Sequence, residues 1–467
     1  MLGLKSYETI IGSIAMMLLL FLSGYFYLEK MTQMDSAFVT IAVVNKSGFV
    51  IPHYRFPILF TQLLPVMLIW LSAPLKWVVF SYSINFYLLY ALCYVAATFK
   101  YKQPATALLI PLVCAMNSGE VFFIQTEILH GLVFAILFLA WLEYHTGTTM
   151  TRADQLTGMF FAITAILFHP IVNVLLFFML AYYLIRNHKR MERFHVTVAI
   201  IAFVWLLVKA YFLPDNAYED QFYNQQQTFL ETLMSPMQSY TIQWYIKNGT
   251  GLYLLTNILF LLVVLVNGLM KRWLLLSVFI LSTFGYLLLM SVLFKGDSNI
   301  MMERVFLGLA LIIGLAAVDC LGNIHLPQWS KVTLWVFIFA AGFSNILNAA
   351  PRQTQHLDIS TELTHKLQQH NGHKFYTTTA DIPYAHNYVM WPLACEQLML
   401  SAILYPQSVK TIYMFADMEE AKATLAEKMH DHKILVASFY LKIEDSVFNK
   451  TYFALPPEPY QYIQPYQ

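Results

Sequence analysis

Eleven separate stretches of this chain are apolar for long enough to cross a bilayer, and that excludes most folds at once. They lie at 8–27, 77–98, 104–122, 128–144, 155–169, 170–185, 196–213, 251–269, 273–294, 303–320 and 332–349. In lipid every backbone N–H and C=O must find its partner within the protein, so such runs are expected to be helices. The pair meeting at His169-Pro170 is too long for one helix and short for two, and reads as a tight hairpin. Only 12% of the 467 residues are charged, where a soluble protein carries about 25%. A net charge of +1 gives no electrostatic case for nucleic acid as a partner. Three of the four cysteines fall in apolar runs and only Cys395 in a polar one, so no disulfide framework is expected. The amino end carries a lone Lys5, then an apolar run without a small-residue cleavage site, and reads as a retained anchor.

One further run, "PILFTQLLPVMLIWLSA" at 57–73, decides the topology. It holds Pro57 and Pro65, and counting it as a span would place the basic segment "IRNHKRMER" outside. Left out, it gives inside loops with about eleven basic residues in roughly 50, against about seven in roughly 105 outside. The run is therefore expected to lie along the outer surface as an amphipathic segment. The amino end is then cytoplasmic and the carboxyl end extracytoplasmic. Three glycan-acceptor triplets, at Asn45, Asn248 and Asn449, all fall on the outer side. No repeat of 20–50 residues marks transporter-like halves.

The polar mass is thus outside, in loop 28–76, loop 214–250 and a tail from about 350. The tail alternates strand-like segments (373–379, 409–416, 433–440) with helical ones (359–370, 392–404, 418–430). That alternation predicts a small α/β domain with a mostly parallel sheet, ending in an irregular proline-rich stretch, "ALPPEPYQYIQPYQ". The expected fold is a polytopic α-helical membrane domain over 1–349, with about 11 spans, and an extracytoplasmic α/β domain over 350–467.

The loop after the first run reads "MDSAFVTIAVVNKSGFVIPHYRFPILFTQLLPVMLIWLSA": an acid, a helix, "G-x-x-x-P", an arginine with an aromatic neighbour, then a proline-led helix. Further on come "MNSGEVFFIQTEILHG" and "NIMMERVFLGLALIIGL". In this order, over roughly residues 5–190, the chain resembles the GT-C membrane glycosyltransferases, most of all the lipid A aminoarabinose transferases and protein O-mannosyltransferases. It departs from them in having Ser36 after Asp35, where many relatives have a second acid, and in lacking a proline shortly after Arg304. The resemblance implies a bacterial inner-membrane enzyme that moves a sugar from a polyprenyl-phosphate donor to an extracytoplasmic glycan, lipid or protein.

Such a transfer needs a base for the acceptor's proton, cations for the departing phosphate and a dry groove for the lipid chain. Asp35 is the expected base, since partial burial raises a carboxylate's basicity; its plainer reading is a helix cap. Arg55 and Arg304 suit phosphate, because a guanidinium offers a planar fork of donors and keeps its charge when desolvated. Lys295 joins them, and snorkelling at a span end is the competing account. Glu127 matches the position of the family's second acid, ahead of Glu120, and acids at membrane depth are usually functional. His53, Tyr54, Glu120 and His169 are expected around the acceptor or cavity. No HxH or HExxH spacing marks a metal site, and a divalent metal held with His53 or His130 stays open as an alternative. Two other classes compete. A transporter or flippase would want charges in mid-span, where Lys209, near a span end, is the clearest exception. A non-catalytic assembly protein of the same fold would use its tail to bind a partner.

Overall fold

The computed structural model describes residues 6–117, 119–122, 127–188, 191–213, 234–293, 305–382, 392–428, 433–436, 442–444 and 448–466. Six helices among them are long and apolar enough to cross a membrane: α1 (Tyr7–Tyr25), α5 (Leu75–Val95, continued by a turn to Lys100), α8 (Glu127–Tyr144), α11 (Arg193–Tyr211), α14 (Trp273–Leu293) and α16 (Gln328–Gln368). The chain is a helical membrane protein. Shorter helices complete the bundle: α6 (Pro104–Ala107) and α7 (Leu109–Met116), α9 (Arg152–Phe168), α10 (Pro170–Arg186), α13 (Leu254–Leu269) and α15 (Leu307–Asn323). Almost every side chain of α8 and α15 is buried, so these two helices form the bundle's centre.

Local chemistry sets the helix ends. Ser6 caps α1, Thr151 and Asp154 form a capping box on α9, and His169 caps α10 ahead of Pro170 at its first position. The expected hairpin at His169-Pro170 is present, with the histidine extended (φ −160°) between two helices. Helix α1 runs antiparallel to α5: Tyr94 donates to the Thr9 carbonyl at 2.9 Å, and Ser23 and Ser83 donate to each other's carbonyls at 2.7 and 2.8 Å.

The segment between α1 and α5 folds as α2 (Tyr27–Met31), α3 (Met34–Lys46), a tight turn at Pro52–Tyr54, a 3-10 stretch Phe56–Gln62 and α4 (Leu63–Trp70). The run 57–73 is thus two short helical pieces. It buries Ile58, Val66 and Ile69 and leaves Leu63, Met67, Trp70 and Leu71 exposed. Between α11 and α13 the described chain forms α12 (Tyr240–Asn248).

Two expectations need correction. The segments 332–349 and 359–370 are one helix, α16, of 41 residues with Pro351 inside it. At 1.5 Å per residue it is about 60 Å long, roughly twice a bilayer's apolar thickness, and its second half packs on the segment after α1: the Gln33 amide donates to the Gln353 carbonyl at 3.1 Å and Thr354 to Glu29 at 3.3 Å. Pro351 withholds a hydrogen bond only from the Leu347 carbonyl, and Leu347 is exposed. The end of α16 is closed from outside the helix: the buried Lys410 ammonium donates to the carbonyls of Leu367 at 3.1 Å and His370 at 2.6 Å. Secondly, the proline-rich end is not wholly irregular. Its β5 (Gln461–Tyr462), beyond the last proline of "ALPPEP", has the N–H groups to pair with β1 (Lys374–Thr378).

The sheet order is β2-β1-β5, all parallel, with β2 spanning Thr411–Phe415. A separate antiparallel pair, β3 (Lys433–Leu435) and β4 (Lys442–Glu444), lies beside it. Helices α17 (Leu393–Leu404) and α18 (Met418–Lys428) complete the tail. Its sheet core, which includes Leu363, Phe375, Ile412 and Met414, is distinct from the bundle's, but Cys395, Met399, Phe448 and Leu455 belong to the bundle core itself. Polar ties reinforce this seam. The Asn449 amide donates to the Val44 carbonyl at 3.0 Å and to Ser47 Oγ at 2.9 Å, so this asparagine is engaged in packing the tail on the segment between α1 and α5.

Candidate functional site

The sequence "IPHYRFP" builds the site locally. Between its two prolines His53 and Tyr54 both adopt positive φ, 51° and 57°. Each left-handed non-glycine residue costs roughly 1–2 kcal/mol, so the surroundings must hold the turn. Lys209, in the last turn of α11, does so. Its ammonium donates to the His53 carbonyl at 2.8 Å and lies 5.5 Å from the centre of the Tyr54 ring. The turn delivers Arg55, which is buried, to Glu127 at the first position of α8, with Nη1 to Oε1 at 2.8 Å. An acid there also complements the helix dipole. His169 is within electrostatic reach of Arg55, Lys209 and His53. Its Nδ1 accepts from the Ile171 N–H at 3.2 Å, which leaves Nε2 to carry the proton.

Five expected residues therefore meet at one end of the bundle: His53, Tyr54, Arg55, Glu127 and His169. Lys209 joins them. The sequence marks it only as a charge near a span end, and nothing there ties it to a loop 156 residues away. Below this cluster an apolar cavity of about 250 Å³ runs between α9 and α11, lined by Ile163, Leu167, Ile200, Val204 and Trp205 among others. Leu167 is two residues from His169, and Trp205 lies one turn before Lys209 on the same face of α11. The two helices that line the cavity are thus the one that runs into His169 and the one that carries Lys209.

Asp35 is placed differently. Helix α3 begins at Met34 (φ 46°), and Gln33 occupies the cap position without a side-chain bond, so Asp35 is not the cap. The Met34 N–H is taken instead by the buried Glu396 of α17 at 2.9 Å, whose other oxygen is 3.0 Å from His356 Nε2. Asp35 is half-buried in the first turn of α3 and acts electrostatically on Cys395, whose thiol burial pushes well above its usual range. Glu120 lies in the short turn Gly119–Val121. Arg304 and Lys295 lie outside the described residues. His130 is fully buried, bonded through Nδ1 to the Tyr90 hydroxyl and stacked 5.0 Å from Phe86. Among the described residues no group of three or more His, Cys, Asp or Glu is arranged to hold a metal ion.

The opposite end of the bundle carries a second network that the sequence reading missed. Asp319 of α15 accepts from Arg272 at 2.7 Å and from Tyr182 at 3.2 Å, while Arg186 bonds Glu143 and lies 3.9 Å from Asp319. The available signal was an acid inside the apolar run "GLAAVDCLG". Comparison with protein-family models, curated proteins and solved structures finds no match for this chain.

Proposed function

We propose that this protein is a membrane glycosyltransferase that passes a sugar from a polyprenyl-phosphate donor to an acceptor at the outer face. On this reading the chain crosses a bacterial inner membrane eleven times, with its amino end in the cytoplasm and the tail domain outside. The carrying observation is the apolar cavity between α9 and α11, the helices that adjoin His169 and carry Lys209, with Arg55 in the same charged cluster. A lipid chain suits the cavity, and a guanidinium and an ammonium beyond it suit the phosphate. Arg304 is assigned to the same phosphate on the family resemblance, and Lys295 with it as its neighbour in the sequence.

In the transfer the acceptor oxygen attacks the anomeric carbon, the bond from that carbon to the phosphate oxygen breaks, and polyprenyl phosphate departs with the electron pair. The acceptor's proton goes to a carboxylate. On the family resemblance Asp35 is that base, while Glu127, joined to Arg55 at 2.8 Å, serves to aim the guanidinium. The test is transfer from a radiolabelled polyprenyl-phosphate sugar in membranes at matched expression. Asp35→Asn should lose about 10²–10⁴-fold in rate, the usual worth of a general base. Arg55→Ala should weaken donor use. Full activity in Asp35→Asn would remove the base assignment, and no transfer by wild type from any polyprenyl-phosphate sugar would remove the enzyme reading.

A further inference from the structure

At the end of the bundle away from Arg55, a polar cavity of about 220 Å³ is lined by Lys100, Tyr101, Trp141, Tyr144, His145 and Asp154, with Thr157 beside them. Its walls are built rather than incidental. Trp141, Tyr101 and His145 are buried side chains, and Trp141 lies against α9 only because position 158 is glycine: a Cβ there would come within 2.4 Å of the ring. His145 is fixed through Nδ1 at 2.9 Å from the Trp141 carbonyl, and its Nε2 is 3.4 Å from Asp154 Oδ1. The Tyr101 and Tyr144 rings meet edge to face at 5.9 Å, and the Lys100 ammonium sits 5.3 Å from the Tyr101 ring centre.

This cavity combines an ammonium, a carboxylate and aromatic faces, which complements a ligand carrying both a phosphate and an ammonium. Lys100 suits the phosphate, while Asp154 and the ring faces suit the ammonium. The surroundings say where such a ligand comes from. Phe99, Leu156 and Phe160, close to the lining residues in sequence, are large apolar side chains left exposed. A surface of that kind in a membrane bundle is covered by lipid tails. We propose that this cavity binds the headgroup of an ethanolamine phospholipid, with its acyl chains along Phe99, Leu156 and Phe160. The site is separate from the Arg55 cluster and does not depend on the glycosyltransferase reading.

Native mass spectrometry of the full-length protein in detergent tests this, with dioleoylphosphatidylethanolamine or dioleoylphosphatidylglycerol added after delipidation. The ethanolamine lipid should be retained in preference, because only its ammonium can use Asp154. Lys100→Gln and Asp154→Asn should each lower that affinity about tenfold, equivalent to ~1.4 kcal/mol. Asp154 also closes the capping box of α9, so if Asp154→Asn unfolds the test rests on Lys100→Gln, which breaks no backbone bond. Lys331→Gln, a substitution at a half-buried lysine bonded to the Gly322 carbonyl, should leave retention unchanged. Equal retention of the two lipids, or an equal loss in Lys331→Gln, would overturn the proposal. Saturation of lipid-free protein by free O-phosphoethanolamine with no lipid retained would assign the cavity to a soluble phosphoamine and overturn the lipid assignment.

Discussion

Glu127 and Arg55 are joined at 2.8 Å with both side chains largely withdrawn from solvent, and this pair ties the loop before α4 to the first turn of a central helix. The loop needs the tie, since His53 and Tyr54 immediately before Arg55 are held at positive φ. Arg55→Met should leave a carboxylate buried without its partner, at a cost of about 3–5 kcal/mol. Replacing both, Arg55→Met with Glu127→Met, should recover much of that loss, because no charge is then stranded. Unfolding of the purified protein in mixed micelles reads both values. A double variant no more stable than the single one would mean that the pair is not the tie.

At the other end of the bundle, Asp319 is the shared acceptor for Arg272 and Tyr182. Asp319→Asn keeps the size and removes the charge, so Arg272 loses its counter-ion in a nearly dry setting. The expected cost is again about 3–5 kcal/mol, whereas the surface change Lys331→Gln should stay within about 0.5 kcal/mol. Comparable small losses from both substitutions would show that water, not Asp319, compensates the arginines.

The contrast between the two networks shows what a linear reading can reach. Apolar runs and strand-helix alternation are local properties, so the helices of the bundle and the strands at 374–378 and 411–415 were legible. The hairpin at His169-Pro170 was legible for the same reason, a proline in the middle of an apolar stretch. The composition change near 350 misled in the opposite direction. It reads as a domain boundary, yet α16 runs through it with Pro351 inside, at the loss of one backbone hydrogen bond to the Leu347 carbonyl. Lys209 with His53, and Asp319 with Arg272, are tertiary contacts between groups far apart in the chain, and no periodicity encodes them. Asp35 was legible as an unusual acid, but its proximity to α17 depended on how the tail docks.

The docking of that tail gives a third prediction. Lys410 is bonded to the carbonyls that end α16, where a cation is favoured by the helix dipole. Lys410→Met keeps most of the apolar stem and removes the donors, at an expected cost of about 1–2 kcal/mol. Hydrogen exchange should quicken in the last turns of α16 and along β2 while the amides of α8 keep their protection. Unchanged exchange near Leu367 would show that water replaces the ammonium without penalty.

The last prediction concerns acid. Asp381, just past β1, is pushed up by burial, but hydrogen bonds from the Thr378 side chain, Gln464, the Thr378 N–H and Tyr462 outweigh this and hold its carboxyl below the usual range. The Thr378 N–H donates at 3.1 Å, Tyr462 at 3.0 Å and Gln464 at 3.1 Å, so the carboxylate joins β1 to β5 and the chain end. A group whose folded pKa is depressed adds stability that is fully present above its unfolded value, about 3.9 for Asp. That stability is lost as pH falls through the folded pKa. The tail domain of the wild type should therefore lose stability on acidification below about pH 4. Asp381→Asn should be less stable than wild type at pH 7 and should lose less on acidification, because no proton need be taken up at this position. The measurement is the melting of the tail, followed by hydrogen exchange over β1 and 461–464 at matched intrinsic rates, from pH 7 down to pH 3. Parallel acid losses in the two proteins would mean that Asp381 is not the titrating link between β1 and the carboxyl-terminal strand.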